Sequence, residues 1–576
     1  MHSPESTTVS SVNAALASPQ PLSSIVISLR DLQRIRQQME EGIPLAEVAE
    51  QLSLDSADTV LAAIAETLGL TVIDLTKTTI DPEVVQAFPA KLVHRHGVFP
   101  ICQDGDSLKV VTGNPFDLHS IDAVSAHLDR HVVPVLALPD ELEKLIKSHL
   151  GVGAETVDDL LSQTDDSVEV LDEVQFDDSE ASEMAQQASV VRLVNEILSE
   201  AVLAQASDIH IEAQESGIKI RYRIDGVLQR QSTPAEMNRF HSAIVSRLKI
   251  MSQMNIAEKR VPQDGRIKLR VAGREVDIRV SIIPMLHGEG IVMRVLDKDR
   301  MQFSLRDIGM PEDVYQSFHD LIRLPHGIVL VSGPTGSGKT TTLYSALNEI
   351  KSEDTKIITT EDPIEYQLEG INQIQVHAKV GLTFAASLRS ILRHDPDVVL
   401  VGEIRDLETA ENATQASLTG HLVFSTLHTN DSAGAFMRLC DMGVEPFLVS
   451  STVEGVLAQR LVRTLCRECK AVYVPNRDEV PADFPWQMIE ESGQEIFQPV
   501  GCRQCRGTGY SGRLGIYELL TANEEVRQLA SDRQPSTLIK RAAVSAGMRT
   551  LRGDGWQKVV AGVTSIDEVI RVTKAD

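Results

Sequence analysis

The stretch Gly333-Pro-Thr-Gly-Ser-Gly-Lys339-Thr340 fills the pattern G-x-x-x-x-G-K-[ST], a loop that wraps nucleotide phosphates. The apolar run 327–332 before it predicts a buried strand, and residues 341–350 after it predict an amphipathic helix. A strand, a glycine loop and a helix in this order present backbone N–H groups and a helix N-terminus to an anion. We therefore predict a phosphate-binding loop; the alternative is a plain glycine turn between a strand and a helix.

The side chains of this loop predict ATP and Mg²⁺ as its ligands. Lys339 would reach the β- and γ-phosphates, and Thr340 would place its hydroxyl on Mg²⁺. The other residues predicted to bind the phosphates are Gly333, Pro334, Thr335, Gly336, Ser337, Gly338 and Thr341.

Length and charge restrict the class of protein. With 576 residues the chain is too long for one hydrophobic core, so about three or four domains are expected. The net charge of −27 argues against a broad nucleic-acid surface, and so do the seven Tyr and two Trp residues available for base stacking. The sequence contains neither an apolar run of transmembrane length nor the segments of a signal peptide at its start. We expect a cytoplasmic protein whose membrane association is peripheral.

Four of the six cysteines form two pairs, Cys466-x2-Cys469 and Cys502-x2-Cys505, with 32 residues between them. In a reducing cytosol such pairs indicate a Zn²⁺ site rather than disulfides. Because four thiolates leave no open coordination position for catalysis, the site is expected to be structural. The alternative is a thiol cluster without metal. Cys102 and Cys440 are interpreted as small buried apolar residues.

Changes in charge and periodicity predict the domain boundaries. Residues 1–27 are rich in Ser, Pro and Ala and predict a disordered tail, followed by a first folded unit over 28–151. From Glu155 to Glu183 there are twelve acidic residues and no Lys or Arg, which predicts an extended linker over 152–189. Alternating runs at 217–226 and 275–281 then predict half-exposed strands.

Three segments after the phosphate loop place polar groups at the ends of apolar strands, where ligands bind in open α/β sheets. Glu361 and Glu365 follow the run Lys356-Ile-Ile358, and both are candidates for a general base that the sequence cannot rank. Glu403 follows the apolar run 397–402 and would hold the Mg²⁺ shell or orient the attacking water. His421 and His428 flank a third strand and would sense a γ-phosphate; the alternative is that both are core histidines.

The chain from about Val190 to its C-terminus resembles the assembly ATPases of type II secretion and type IV pili. The matching stretches are 206–212, 221–226, 262–266, 360–365, 392–397, 401–406, 419–430, 458–461, 512–518 and 547–551. One departure is His394, where glutamine is usual. The resemblance implies a homo-hexameric ring in which each core binds MgATP at a subunit boundary.

The same resemblance implies a fold and further site residues. The implied class is α/β, with the domains 28–151 (N-terminal α+β, partner docking), 190–304 (PAS-like α+β), 305–460 (RecA-like P-loop ATPase core), 461–515 (tetracysteine zinc insert) and 516–576 (C-terminal helical region). Arginines of the PAS-like domain approach the phosphate in such rings, which implies roles for Arg279 and Arg294 and, less directly, for Arg221 and Arg223. The alternative is that these arginines are surface charges on a strand.

Within the family, the tetracysteine insert and the long N-terminal region resemble assembly ATPases rather than retraction ATPases. The stretches 94–100 and 406–413 resemble the secretion branch, so type II secretion is favoured over pilus extension. The resemblance then implies ATP-driven pseudopilus assembly on the cytoplasmic face of the inner membrane, with a platform protein, a cytoplasmic docking domain and anionic lipid as candidate partners. The segment 32–45 lacks the opening Arg-Leu-Gly of the repeats that read a cyclic dinucleotide, so binding of such a ligand is not expected. The alternatives are a nucleic-acid translocase, which the acidic balance disfavours, and a nucleotide-gated scaffold with little hydrolysis, which the intact Lys339, Thr340 and Glu403 disfavour.

Overall fold

The computed structural model describes residues 29–40, 45–51, 54, 56–75, 78–150, 188–271, 273–297, 304–493 and 495–575. The predicted tail 1–27 lies outside these residues, as does the predicted linker 152–189 except for its last two residues, which begin a helix. None of the described helices combines the length and apolar character needed to cross a bilayer. The chain divides into two compact units, one comprising Met1–Tyr222, Leu228–Ile267 and Val280–Met293 and the other Arg223–Val227, Lys268–Arg279 and Arg294–Asp576.

The N-terminal part combines helices with a four-stranded mixed sheet. Its elements in chain order are α1 (Leu29–Glu40), α2 (Leu45–Gln51), α3 (Ala57–Leu68), β1 (Thr71–Val72), α4 (Pro82–Ala87), α5 (Ala90–His96), β2 (Val98–Asp104), β3 (Ser107–Thr112), α6 (Leu118–Leu128), β4 (His131–Leu136) and α7 (Pro139–Leu150). The strand order is β1-β4-β3-β2, with β2 and β3 joined as an antiparallel hairpin. Phe99 and Val110 are fully buried in its core, so this part is an α+β domain, as predicted.

The middle part is a six-stranded sheet with two long helices. Its elements are α8 (Ala188–Leu203), β5 (Asp208–Gln214), β6 (Gly217–Ile224), β7 (Val227–Arg230), α9 (His241–Met251), β8 (Gln263–Val271), β9 (Arg274–Met285) and β10 (Gly288–Asp297). Along β6 the buried side chains alternate, at Ile218, Ile220 and Tyr222. This alternation matches the period of two that the sequence predicted, because successive side chains of a strand point to opposite faces.

The C-terminal part is built around a seven-stranded sheet. Its elements are α10 (Glu312–Leu321), β11 (Gly327–Ser332), α11 (Lys339–Ile350), β12 (Ile357–Glu361), β13 (Asn372–Gln375), α12 (Phe384–Ile391), β14 (Val398–Val401), α13 (Leu407–Leu418), β15 (Leu422–Leu427), α14 (Ala433–Asp441), α15 (Pro446–Thr452), β16 (Val453–Leu465), β17 (Ala471–Tyr473), α16 (Trp486–Ser492), β18 (Ile496–Gln498), β19 (Tyr510–Thr521), α17 (Glu524–Ser531), α18 (Ser536–Ser545), α19 (Leu551–Val560) and α20 (Ile566–Val572). The strand order is β13-β12-β14-β15-β11-β16-β19, and each pair is parallel except β16 with β19.

The central strand β11 is buried on both faces, which explains its continuous apolar sequence. Ile328 and Leu330 belong to one hydrophobic cluster, and Val329 and Val331 belong to a second. Helices therefore cover both sides of the sheet, as the predicted RecA-like core requires. Because the parallel strands share a direction, their carboxyl ends meet at one edge of the sheet.

Two predicted domain boundaries are wrong. The boundary at 460/461 cuts β16, and the boundary at 515/516 cuts β19. These strands pair in antiparallel fashion from Gly455 opposite Thr521 to Leu465 opposite Tyr510, with one register shift between Arg463 and Leu465, so both belong to the core sheet. The cysteine-bearing insert is therefore limited to residues 466–509, and the C-terminal helices begin only after β19.

Candidate active site

The phosphate loop leaves the carboxyl end of β11 and leads into α11. Gly333 has a φ of 152°, and a Cβ there would lie 2.5 Å from Ser337 Oγ. Gly338, with a φ of 88°, immediately precedes the first residue of the helix. Both glycines are therefore required by backbone conformation or by close packing, as a loop that cradles phosphates needs.

Lys339 lies over the loop that it terminates. Its Nζ donates to the carbonyl oxygens of Gly333, at 2.8 Å, and Pro334, at 3.1 Å. Burial lowers the pKa of Lys339 to about 8; Arg460 lowers it further, while the carboxylate of Glu403 opposes the shift. The ammonium group is thus held in a site that favours an anionic partner.

Glu403 lies just beyond the end of β14, and His428 just beyond the end of the adjacent strand β15. The Glu403 carboxylate accepts from Arg405 Nη2 at 2.5 Å and lies 3.1 Å from His428 Nε2. Burial raises the pKa of Glu403, but the hydrogen bond and charge of Arg405, with a smaller contribution from His428, outweigh it and hold the pKa below its usual value. Glu403 is therefore an ionised carboxylate at the same edge of the sheet as the phosphate loop.

His421 does not lie at this edge. Strands β11 and β15 pair in register from Gly327 opposite Leu422 to Ser332 opposite Leu427. His421 precedes Leu422, so a strand of about 20 Å separates it from the phosphate loop of its own chain. The prediction that it senses a γ-phosphate there is wrong, and its Nδ1 instead lies 2.9 Å from the carbonyl oxygen of Ala416.

The two candidate bases of the acidic segment have different environments. Glu361 is 4% exposed and accepts from the hydroxyl groups of Tyr344 and Thr359 and, at 3.1 Å, from Gln373 Nε2. Glu365 is half-buried and lies 3.4 Å from Arg279 Nη1. The carboxylate oxygens of Glu361 already accept three hydrogen bonds, which suits a residue that holds the acidic segment in its conformation. Glu365 is therefore the stronger candidate for a general base.

The predicted arginines also differ. Arg279 donates from Nη2 to the carbonyl oxygen of Ile364 at 2.7 Å, and both residues belong to the second compact unit. Arg294 is exposed on β10. Arg221 donates to Glu212 at 2.5 Å, and Arg223 donates to the carbonyl oxygen of Gly226 at 3.1 Å. Arg279 thus contacts the acidic segment through both Ile364 and Glu365.

The four paired cysteines come together as predicted. The sulfur atoms of Cys466 and Cys502 are 3.8 Å apart, and Cys505 lies 3.7 Å from both Cys469 and Cys502. A tetrahedral ion with Zn–S distances of about 2.3 Å requires sulfur atoms about 3.8 Å apart. Backbone N–H groups of Cys502 and Gly509 also point at the Cys505 sulfur, at 3.1 and 3.2 Å. The donor set and its spacing fit a tetrahedral metal ion.

Sequence reasoning missed two side chains at the site. Tyr344, on α11, donates to Glu361 and so connects the phosphate-loop helix with the acidic segment. Arg460, on β16, donates to the carbonyl oxygen of Asn430 at 2.8 Å. The only signal for Arg460 was its place in the run 458–461, which suggested no role, because its partner lies 30 residues earlier in the chain.

Comparison with protein families decides the affiliation of the chain. A profile described as Type II/IV secretion system protein matches residues 183–571, more than half of the 576 residues. The chain belongs to this family. A second profile, the MshEN domain, matches residues 68–156 and so covers much of the N-terminal α+β domain.

Individual relatives agree with this affiliation. Type II secretion system protein E of Xanthomonas campestris pv. campestris is 42% identical over 551 residues, covering 94% of this chain and 96% of the relative. The type IV pilus assembly ATPase PilB of Myxococcus xanthus is 40% identical over 516 residues, covering 89% and 90%. The predicted family and the predicted enzyme class, a P-loop ATPase, are confirmed.

A solved structure supports the fold. The ATPase DotB of Legionella pneumophila superimposes with a TM-score of 0.50 at 24% identity, covering 66% of this chain and 95% of that chain. At this identity the likeness concerns the fold alone. It agrees with the predicted RecA-like core.

Proposed function

We propose that the chain is the MgATP-hydrolysing motor of a type II secretion system. It acts as a homo-hexamer on the cytoplasmic face of the inner membrane and drives pseudopilus assembly and protein export. The observation that carries the proposal is the carboxylate of Glu403, which lies 2.5 Å from Arg405 Nη2 at the edge of the sheet where Lys339 ends the phosphate loop. The relatives named type II secretion system protein E support the choice of system.

Each site residue has a proposed task. The backbone N–H groups of the loop and Lys339 hold the β- and γ-phosphates, and Thr340 supplies a hydroxyl ligand for Mg²⁺. Bound Mg²⁺ would neutralise charge that develops on the phosphate oxygens. Glu403 orients the attacking water or a ligand of the metal shell, and His428 holds the Glu403 carboxylate in place. Glu365 is the proposed base of the acidic segment.

Arg279 stabilises the transferring phosphate in this mechanism. Phosphoryl transfer places charge on the equatorial oxygens, and a guanidinium donor can stabilise that charge. Arg279 lies 3.4 Å from Glu365, so its guanidinium is already held beside the acidic segment. Arg294 is the second candidate for this role, supplied by the same chain or by a neighbouring subunit.

The tetracysteine cluster is proposed to bind one structural Zn²⁺. Its sulfur–sulfur spacing and its four soft ligands support this assignment. Bound Zn²⁺ would fold residues 466–509 around the cluster and take no part in hydrolysis.

Pilus extension is the second candidate function, favoured by the 40% identity with PilB. Complementation decides between the two systems, because a chain that restores export to a secretion mutant but no pili to an extension mutant is the secretion motor. In both cases the inner-membrane platform protein is the proposed partner, anionic lipid is a further candidate, and residues 28–151 are proposed to dock a cytoplasmic domain.

Phosphate release by the wild-type chain and by Glu403→Gln tests the chemistry. We expect the variant to lose at least about two orders of magnitude in turnover and to retain nucleotide binding, because the loop and Lys339 stay intact. A Glu408→Gln variant is the control, since Glu408 is an exposed carboxylate that forms an ion pair with Arg389 on the neighbouring helix. Equal rates for Glu403→Gln and the wild type would remove Glu403 from the chemistry.

A further inference from the structure

Gln459 is a buried side chain of β16 that contacts the phosphate loop on both sides of Lys339. It is 1% exposed. Its Nε2 donates to the carbonyl oxygen of Ser337 at 2.6 Å, and its Oε1 accepts from Thr342 Oγ1 at 2.7 Å. One amide group thus joins the loop to the first turn of α11.

The glycines of the loop are packed against the same residue. A Cβ on Gly338 would lie 3.0 Å from Gln459 Nε2, and a Cβ on Gly333 would lie 2.7 Å from the Gln459 carbonyl oxygen. Gln459 therefore leaves no room for a larger residue at either position: its side chain packs against Gly338, and its backbone packs against Gly333. The positive φ angles of both residues favour glycine as well.

The position of Gln459 is fixed by the sheet. Its neighbour Ala458 is the last residue of β16 that pairs with β11, opposite Ser332, and Gln459 itself pairs with Tyr517 of β19. The loop also begins directly after Ser332. The amide is therefore held at the point where the loop leaves the sheet, by strands that are paired on both sides of β16.

We propose that Gln459 is a positioning residue for nucleotide binding, which holds the phosphate loop in the shape that receives the phosphates. It acts through Ser337 and Thr342 and needs no contact with the nucleotide. When the amide is removed, the Ser337 carbonyl and the Thr342 hydroxyl each lose the hydrogen bond to Gln459. The free loop is then less ordered, and nucleotide binding must supply the free energy that orders it. This inference rests on the proposed ATPase function.

The test uses the full-length chain with leucine at this position, Gln459→Leu, and measures the Kd of a fluorescent ATP analogue together with kcat, KM and the melting temperature. We expect Kd and KM to rise by about tenfold, the worth of one to two hydrogen bonds, with a smaller change in kcat. Thr342→Val keeps the shape of the side chain but removes one of the two hydrogen bonds, so its Kd should rise by about threefold. Combined with Gln459→Leu it should add nothing further to the Kd.

Val462→Ala is the matched control, because Val462 is fully buried on the same strand and packs in a hydrophobic cluster with Ala458, Ile516 and Leu551. It should lower the melting temperature and leave Kd within about twofold of the wild type. A folded Gln459→Leu with wild-type Kd, or a Val462→Ala with an equal rise in Kd, would overturn the inference. If Gln459→Leu does not fold, an unchanged Kd in Thr342→Val overturns it. A wild-type chain that binds no nucleotide would instead contradict the proposed function.

Discussion

At the level of single residues, the charge of Lys339 depends on pH in the physiological range. Burial brings its pKa to about 8, so at that pH about half of the side chains are neutral. A bound polyphosphate favours the ammonium form and raises the pKa, so binding takes up protons. Nucleotide affinity should therefore fall as the pH rises through 8.

Calorimetric titration of ADP at pH 8 in two buffers of different ionisation enthalpy measures this uptake. We expect up to about half a proton per site for the wild type. The Lys339→Arg variant is the control, because a guanidinium stays charged at this pH and should take up none. Zero uptake by the wild type at pH 8 would contradict the assignment of the proton to Lys339.

For Arg279, a role in phosphoryl transfer can be distinguished from that of a surface charge, because only the first changes kcat. If it stabilises the transferring phosphate, Arg279→Ala should reduce kcat by about a thousandfold and leave nucleotide Kd within a few-fold of the wild type. Arg270→Ala is the control, since Arg270 forms an exposed ion pair with Glu275 on the neighbouring strand. If turnover is unchanged in both Arg279→Ala and Arg294→Ala, these arginines are surface charges.

Single residues also show the limit of prediction from the sequence. The pattern around Lys339 identifies its own residues, because the whole motif is contiguous. The sequence does not show which end of a strand lies at the edge of the sheet that carries the phosphate loop. His421 and His428, at the two ends of β15, are therefore distinguished only by the parallel pairing of β15 with β11. In the same way, Glu361 and Glu365 differ only through partners such as Tyr344, which is distant in sequence.

At the level of elements, the strands β11, β12, β14 and β15 were expected because each begins with or consists of a short apolar run, whereas the polar strand β13 was not predicted. The hairpin of β16 and β19 was not recognised, because its strands are separated by the 44 residues of the insert 466–509. Their pairing depends on backbone contacts that no local pattern encodes. The predicted boundaries followed the cysteines instead and cut both strands.

The insert itself permits a prediction about metal. If the four cysteines bind Zn²⁺, the purified chain should carry about one metal ion per chain, and Cys502→Ser should lose it and melt at a lower temperature. Cys440→Ser is the matched control, since Cys440 is a buried thiol that packs in a hydrophobic cluster of the core and should leave the metal content unchanged. Plasma mass spectrometry and thermal melting give the two readouts. A stable wild-type chain without metal would refute the zinc site.

At the level of the whole molecule, composition and family motifs were informative in different ways. The net charge of −27 argued against a nucleic-acid footprint, whereas the ordered motifs from 206 to 551 identified the family. Neither composition nor motifs test the linker predicted for the acidic stretch from Glu155 to Glu183, which lies outside the described residues. The sequence predicts the family and the strands that carry the site motifs, because both depend on contiguous patterns.

The proposed ring predicts how subunits influence one another. In mixtures of wild-type and Lys339→Ala subunits that are co-assembled, inactive subunits should silence active neighbours, because the proposed sites lie at subunit boundaries. If one inactive subunit stopped a hexamer, an equal mixture would retain roughly 2% of the wild-type rate, against half for independent subunits. The control mixes the same proteins after separate assembly, without subunit exchange, and should give the linear decline. Turnover that falls linearly after co-assembly would contradict a cooperating ring, and export sustained in cells by Lys339→Ala alone would contradict the motor itself.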